Sequence, residues 1–318
     1  MGTPEFAVYS LEKLIHSQHT VVGIVTQPDK PRGRGKILSP PPVKVSAESH
    51  QIPKILQPGS LQDPGFLEEL KSLSADLFVV VAFRILPEIV FDMTPLGTIN
   101  VHPSLLPKYR GAAPINWTLI QGETKTGVTI IKISKKVDAG GMLLQREVDI
   151  DDDETAGSLH DRLAEIGGDM LLETLKGIQD NSFRIIPQDD SLATPAPKIH
   201  REDCHLSFDM PARQVNNWIN GLSPFPTAFV YLRGERINFY KSRVIDEIAK
   251  DQLPGTVFKT GSNELQICCN PGVVEILELQ KEGKKRLGIS NFLRGYSIEV
   301  GEMLVNYPKT CLIFQIKY

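Results

Sequence analysis

The sequence predicts an α/β first half built on a parallel sheet, followed by a small β-barrel. Three observations carry this. In residues 1–186, short apolar runs alternate with stretches of helical spacing, the order that βαβ units produce. From residue 205 to 318, short β-rich runs follow one another between turn residues, after a single short helical stretch. Between the two, residues 187–204 are polar and proline-containing and read as a linker.

Taken in order, "MGTPEFAVYSLEKLI" opens as a strand-to-helix turn, with Gly2, Thr3 and Pro4 leading into a helix over 5–17. A doubly wound sheet normally has a strand before that turn, often a central one. None precedes it here, so the recorded start is expected to lie downstream of the true one, with the first strand missing. "TVVGIVTQ" (20–27), "ADLFVVVAF" (75–83), "GTINVH" (97–102) and "GVTIIKIS" (127–134) read as buried strands, with helices over 63–72, 114–121 and 155–179. The last helix places Leu159, Leu163, Ile166, Met170, Leu171 and Leu175 near helical spacing. In the second half, "QVNNWINGL" is the short helix. "TAFVYL", "ERINFYKSRVI", "GTVFKT", "ELQICC" and "GVVEILELQ" are the strands of the expected barrel.

Composition excludes several classes. The chain has 318 residues, 41% apolar and 23% charged, as soluble globular proteins do. No apolar run approaches the roughly 20 residues needed to cross a bilayer, and no basic-then-apolar leader opens the chain. Cys204, Cys268, Cys269 and Cys311 form no CxxC pair and no metal spacing, so no metal is expected and a reduced, cytoplasmic compartment is. The absence of GxGxxG argues against a nicotinamide dinucleotide. Net charge is −3, yet His205–Tyr318 carries 14 Lys+Arg against 11 Asp+Glu. That is compatible with a polyanion across the second half, and equally with charge scatter.

The chemistry concentrates in three stretches. In "INVHPSLLPKYRGAAPIN" (99–116), Asn100 and His102 lie two apart and so share one face at the carboxyl end of a strand, where open α/β sheets place ligands. Asn can donate to an oxyanion, and imidazole can donate, accept or carry charge near neutral pH. "KKVDAGGML" (135–143) adds a carboxylate, Asp138, in a glycine-flanked turn. Taken singly, Asn-x-His is more often a satisfied strand-end pair, and Asp before small residues is more often a turn former. "TQPDKPRGRGKILSPPPVK" (26–44) cannot be regular helix or central strand. It reads as a long basic loop, either a phosphate or nucleic-acid clamp or a solvated loop. "VVVAFRILPEIV" (79–90) offers Phe83, Ile85 and Leu86 as a rim for a flat heterocycle, or a core strand running into a helix.

These stretches together resemble the methionyl-tRNA formyltransferase family. "GTPEFAV", "TQPDKPRGRGK", "VVVAFRILP", "NVHPSLLPKYRGAAPINW", "VDAGGMLLQ", "WINGLSPFPTAF" and "FLRGYSIEVGEML" occur in the family's order and spacing, from Met1 to about Leu304. The resemblance implies a Rossmann-like formyltransferase domain and a C-terminal OB-like β-barrel that binds tRNA. It implies 10-formyltetrahydrofolate as co-substrate, no metal, and the amino group of initiator methionyl-tRNA as acceptor. It implies Asn100, His102 and Asp138 as the catalytic set. Phe83, Arg84, Ile85 and Leu86, with Ser104, Leu105, Leu106 and Pro107, would bind the folate. Lys30, Arg32, Arg34 and Lys36 would wedge against the tRNA. Asp138 would accept the amine proton and could hold the imidazole in its tautomer. A monomer suits the family. The turn "VDAGGM" departs from the commoner D-T-G-D, and residues 305–318 run past the family's usual end. Two alternatives stay open: a nucleotide-sugar N-formyltransferase using the same three residues, and a non-catalytic RNA-binding protein on this scaffold.

Overall fold

The computed structural model describes residues 1–32, 37–182, 184–248 and 250–305. The chain divides into two compact units. One comprises Met1–Pro114, Lys125–Val148 and His160–Ala196; the other Ile115–Thr124, Asp149–Leu159 and Pro197–Tyr318.

In the first unit, α1 (Glu5–Ile15) turns Phe6, Ala7, Val8 and Leu11 into the core, with Glu5 in the first turn and Lys13 in the last, as the helix dipole favours. Strand β1 (Ile24–Val25) is followed by β2 (Lys30–Arg32) and β3 (Ile37–Ser39), an antiparallel pair. Helix α2 (Pro42–Ser49) takes up the end of the expected 26–44 loop: Pro41 and Pro42 stand where a helix start tolerates a missing N–H. Then come β4 (Ile55–Leu56), parallel to β1, and α3 (Pro64–Ser72), capped by Asp63, whose carboxylate accepts the Phe66 N–H at 2.9 Å. Strand β5 (Phe78–Val81), helix α4 (Glu88–Phe91), β6 (Thr98–His102) and β7 (Arg110–Gly111) complete the first stretch.

After α5 (Pro114–Ile120), β8 (Lys125–Lys132) returns antiparallel to β6, so the sheet is mixed where a parallel one was expected. The neighbouring β9 (Met142–Asp149) follows after the nine residues 133–141, too few for a crossover helix. This strand was not expected, because its apolar pattern stops after Leu144. Helix α6 (Ala156–Gln179) buries Leu159, Leu163, Met170 and Leu171 as its spacing predicts. Strand β10 (Pro195–Ala196), inside the expected linker, pairs with β7.

Strand order in the main sheet is β5-β6-β8-β9, while β1 and β4 pair separately. Among the described residues, Met1 and Gly2 bridge the two through backbone hydrogen bonds. Gly2 bridges Val81, its N–H donates to Val25 O at 3.1 Å, and the Met1 ammonium donates to Val79 O at 2.6 Å. Beyond them lies a cavity of about 830 Å³, lined among others by Leu14, Val22, Ile24, Leu77, Phe78 and Leu175. By strand alternation the N–H groups of Val25 and Val79 face it.

The second unit carries α7 (Ala212–Gly221), β11 (Ala228–Leu232), β12 (Glu235–Asp246), β13 (Val257–Thr260), β14 (Leu265–Cys268), β15 (Val273–Lys281), β16 (Leu287–Gly288) and α8 (Ile289–Leu293). Five strands run antiparallel in the order β11-β12-β15-β14-β13, and β16 adds to β15. Register shifts in β12 bend it, as bulges do. The two edges are joined by one strap: Tyr231 and Val305 exchange backbone hydrogen bonds at 2.7 and 2.9 Å, and Leu304 N donates to Gly255 O at 2.9 Å. Phe229 and Phe239 are fully buried inside with Ile219 and Leu222; each such side chain is worth roughly 1.5–3 kcal/mol. Cys204, Cys268 and Cys269 are buried free thiols, whereas Cys311 lies outside the described residues. Among the described residues no helix is long and apolar enough to cross a membrane.

Candidate active site

The pleat of β6 presents Asn100 and His102 on one face. Beside it β5 lies in parallel register, Val80 against Asn100 and Val81 against Val101, so the segment after β5 leaves from the same carboxyl end. The Asn100 carboxamide has no hydrogen-bond partner among the described residues and is only half-buried, leaving its donor available. His102 is 4% exposed, and its Nε2 lies 3.0 Å from the Tyr109 carbonyl oxygen. A carbonyl only accepts, so the ring proton sits on Nε2 and the neutral ring carries its lone pair at Nδ1. Nδ1 faces Asp138, 3.7 Å from Oδ1. Tyr109 therefore sets the tautomer, where the sequence suggested Asp138. Burial pushes the His102 pKa below its ordinary value. Asp138 and the Tyr109 carbonyl oppose that shift, and the Arg110 guanidinium adds to it.

Asp138 sits at φ 51°, a left-handed conformation that Asp tolerates better than most residues. Its Oδ2 accepts the Gly111 N–H at 3.0 Å. The "AGG" that follows has a steric reason: a Cβ on Gly140 would stand 1.7 Å from the Lys132 carbonyl oxygen. Gln188 ties this turn to Arg110, and Arg110 also pairs with Asp190 at 2.8 Å.

The Ser104–Pro107 loop is fixed by one hydroxyl. Thr129 Oγ1 donates to Ser104 O at 2.7 Å and accepts the Leu106 N–H at 3.2 Å and Gln145 Nε2 at 2.8 Å. Ser104 and Leu106 are buried, and Leu105 and Pro107 half-buried. On the other rim Phe83 is half-buried and Ile85 is 77% exposed, whereas Leu86 packs in the core with Val90 and Phe91. Arg84 donates to the carbonyls of Pro58 and Gly59 at 2.9 and 3.0 Å, which pins the rim from behind.

Lys30 is exposed and donates to Gln27 Oε1 at 2.6 Å. Lys44 is turned inward onto Asp29 at 2.9 Å and anchors the base of the loop. Arg34, Lys36 and the side chain of Arg32 lie outside the described residues. Among the described residues no group of three His, Cys, Asp or Glu is arranged to hold a metal.

Sequence reasoning missed Tyr109, Thr129, Gln145 and Gln188. A threonine in the middle of the apolar run "GVTIIKIS" was the available signal, since a buried hydroxyl needs partners. The two glutamines carried no signal.

Comparison with known proteins identifies the family. A model described as formyl transferase matches residues 1–175, and one described as formyl transferase, C-terminal domain, matches residues 198–297. A protein of Syntrophus aciditrophicus (strain SB) called methionyl-tRNA formyltransferase is 47% identical over 305 residues, 96% of this chain and 97% of that one. This chain belongs to the methionyl-tRNA formyltransferase family. A second relative of that name, from Acetivibrio thermocellus, is 43% identical over 305 residues, 96% of this chain and 98% of that one. An N-formyltransferase structure from Helicobacter canadensis, with folinic acid and dTDP-3-aminofucose, matches with a TM-score of 0.64 at 19% identity over 88% of this chain and 97% of that one. WlaRD, a sugar 3N-formyltransferase, gives a TM-score of 0.63 at 19% identity over 89% and 97%. At that identity the likeness is one of fold. Asn100, His102 and Asp138 of this methionyl-tRNA formyltransferase family member all fall inside the matched 1–175.

Proposed function

We propose that this chain transfers the formyl group of 10-formyltetrahydrofolate to the free amino group of initiator methionyl-tRNA, with Asn100, His102 and Asp138 as catalytic residues. The observation that supports the site assignment is the gap between His102 Nδ1 and Asp138 Oδ1. Two acceptors 3.7 Å apart, neither able to donate to the other while the ring is neutral, can both be reached at hydrogen-bond distance by one nitrogen between them. An attacking amine is such a nitrogen.

The amine lone pair attacks the formyl carbon, and the carbonyl oxygen becomes an oxyanion that the Asn100 amide stabilises. The nitrogen, now cationic, gives a proton to Nδ1 or to the Asp138 carboxylate. The bond from carbon to N10 then breaks, N10 takes a proton, and the oxyanion re-forms the carbonyl. His102 is kept neutral by burial and so starts as an acceptor. The folate would lie between the Ser104–Pro107 loop and Phe83–Ile85, with Leu86 supporting the rim from the core. Lys30, Arg32, Arg34 and Lys36 would contact the tRNA backbone in the basic loop. We place the reaction in the cytoplasm, the compartment that free thiols such as Cys204, Cys268 and Cys269 suit.

The test is formyl transfer from the labelled folate to methionyl-tRNA, run beside an amino-sugar nucleotide as acceptor. Methionyl-tRNA is expected to be the substrate. Transfer to the sugar alone, or to neither, refutes the reading.

A further inference from the structure

We infer that Gln188 is a positioning residue for formyl transfer: its amide clamps the Asp138 turn to the Tyr109–Gly111 loop and so sets the gap between His102 and Asp138. The inference rests on the catalytic reading proposed above. Nε2 of Gln188 donates to the carbonyl oxygens of Asp138 and Gly140, both at 2.8 Å. Its Oε1 accepts from Arg110 Nε at 3.1 Å and from the Arg110 terminal nitrogen at 2.7 Å. Both amide hydrogens thus go to one loop, and the acceptor goes to the other.

Arg110 stands between two residues that touch the chemistry. The Tyr109 carbonyl accepts from the His102 ring N–H, and the Gly111 N–H donates to Asp138 Oδ2. A shift of either loop changes the 3.7 Å separation. The Arg110 loop has independent anchors, through Asp190 at 2.8 Å and through pairing of Arg110–Gly111 with Pro195–Ala196. The Asp138 turn is held to it by the Gln188 donors, by the Gly111 N–H, and by the exposed and therefore weak pair of Lys136 with Asp190 at 2.6 Å. Loss of Gln188 therefore releases chiefly Asp138. No other side chain does the same work here. Glutamate keeps the acceptor and loses both donors, and asparagine is one methylene too short.

The charged groups facing the His102 ring are Asp138, which raises its pKa, and Arg110, which lowers it. With Arg110 still tied to Asp190, drift of Asp138 lets the ring pKa fall further. The experiment compares Gln188→Ala, Gln188→Glu and Asp138→Ala in the full chain. It measures kcat and KM for both substrates, the pH profile of kcat/KM, equilibrium folate binding and the unfolding midpoint. Gln188→Ala is expected to lower kcat roughly tenfold or more, since misplacement near 1 Å costs about 100-fold, while folate affinity stays within about threefold. Its acid limb moves to lower pH. Gln188→Glu, nearly isosteric, is expected to lose kcat as well. Parental kcat in either glutamine variant, or a loss with an unmoved acid limb, overturns the positioning role. Parental kcat in Asp138→Ala overturns instead the catalytic reading beneath it.

Discussion

His102 Nε2 and the Tyr109 carbonyl oxygen lie 3.0 Å apart, and that one hydrogen bond decides which edge of the imidazole is left for chemistry. The remaining nitrogen faces a carboxylate across a gap too long for a direct bond and right for a substrate nitrogen. The expectations below follow from this arrangement and from the elements that hold it.

Asn100→Ala removes the only oxyanion donor assigned to a side chain. The rate of formyl transfer should fall roughly 100- to 1,000-fold. The carboxamide bonds nothing among the described residues, so unfolding free energy should change by no more than about 1 kcal/mol. Single-turnover kinetics and denaturant titration check the two halves separately. A rate near that of the parent removes Asn100 from the mechanism.

Thr129→Val keeps shape and deletes a hydroxyl that makes three hydrogen bonds. The Ser104 carbonyl and Leu106 N–H then lose a buried partner, at about 1–3 kcal/mol. Because the loop they fix is assigned to folate, folate binding should weaken more than kcat falls. Isothermal titration with the folate measures this, and unaltered affinity argues that the loop is held by other means.

Gly255→Ala should open the strap across the second unit. Gly255 has φ 87°, and a Cβ there would meet the Leu304 carbonyl oxygen at 2.5 Å. Gly234→Ala is the control: φ is 82° with nothing near the added atom. Both variants carry the backbone cost, of order 1–3 kcal/mol, and only the first adds the clash. Differential scanning calorimetry should rank Gly255→Ala as clearly less stable. Equal losses would mean the strap contributes nothing.

Much of this was readable from residues. Short apolar runs, β-rich runs and helical spacing located β5, β6, β11, β12 and α6, because buried apolar faces dictate them. The Asn100–His102 pair followed from strand alternation alone. The sequence could not say that β8 runs antiparallel, since apolar content is the same in either direction. Nor could it say that Gln188 and Pro195–Ala196, in a stretch with the composition of a linker, are bonded to the site loops. The Gln188 bond to Arg110 spans 78 residues and its bond to Asp138 spans 50, and local pattern carries no trace of them.

The most direct measurement is single-turnover formyl transfer to methionyl-tRNA by Asp138→Ala at saturating 10-formyltetrahydrofolate. The account predicts a fall of about 100-fold or more with folate affinity within about threefold of the parent. Transfer at the parental rate would contradict it.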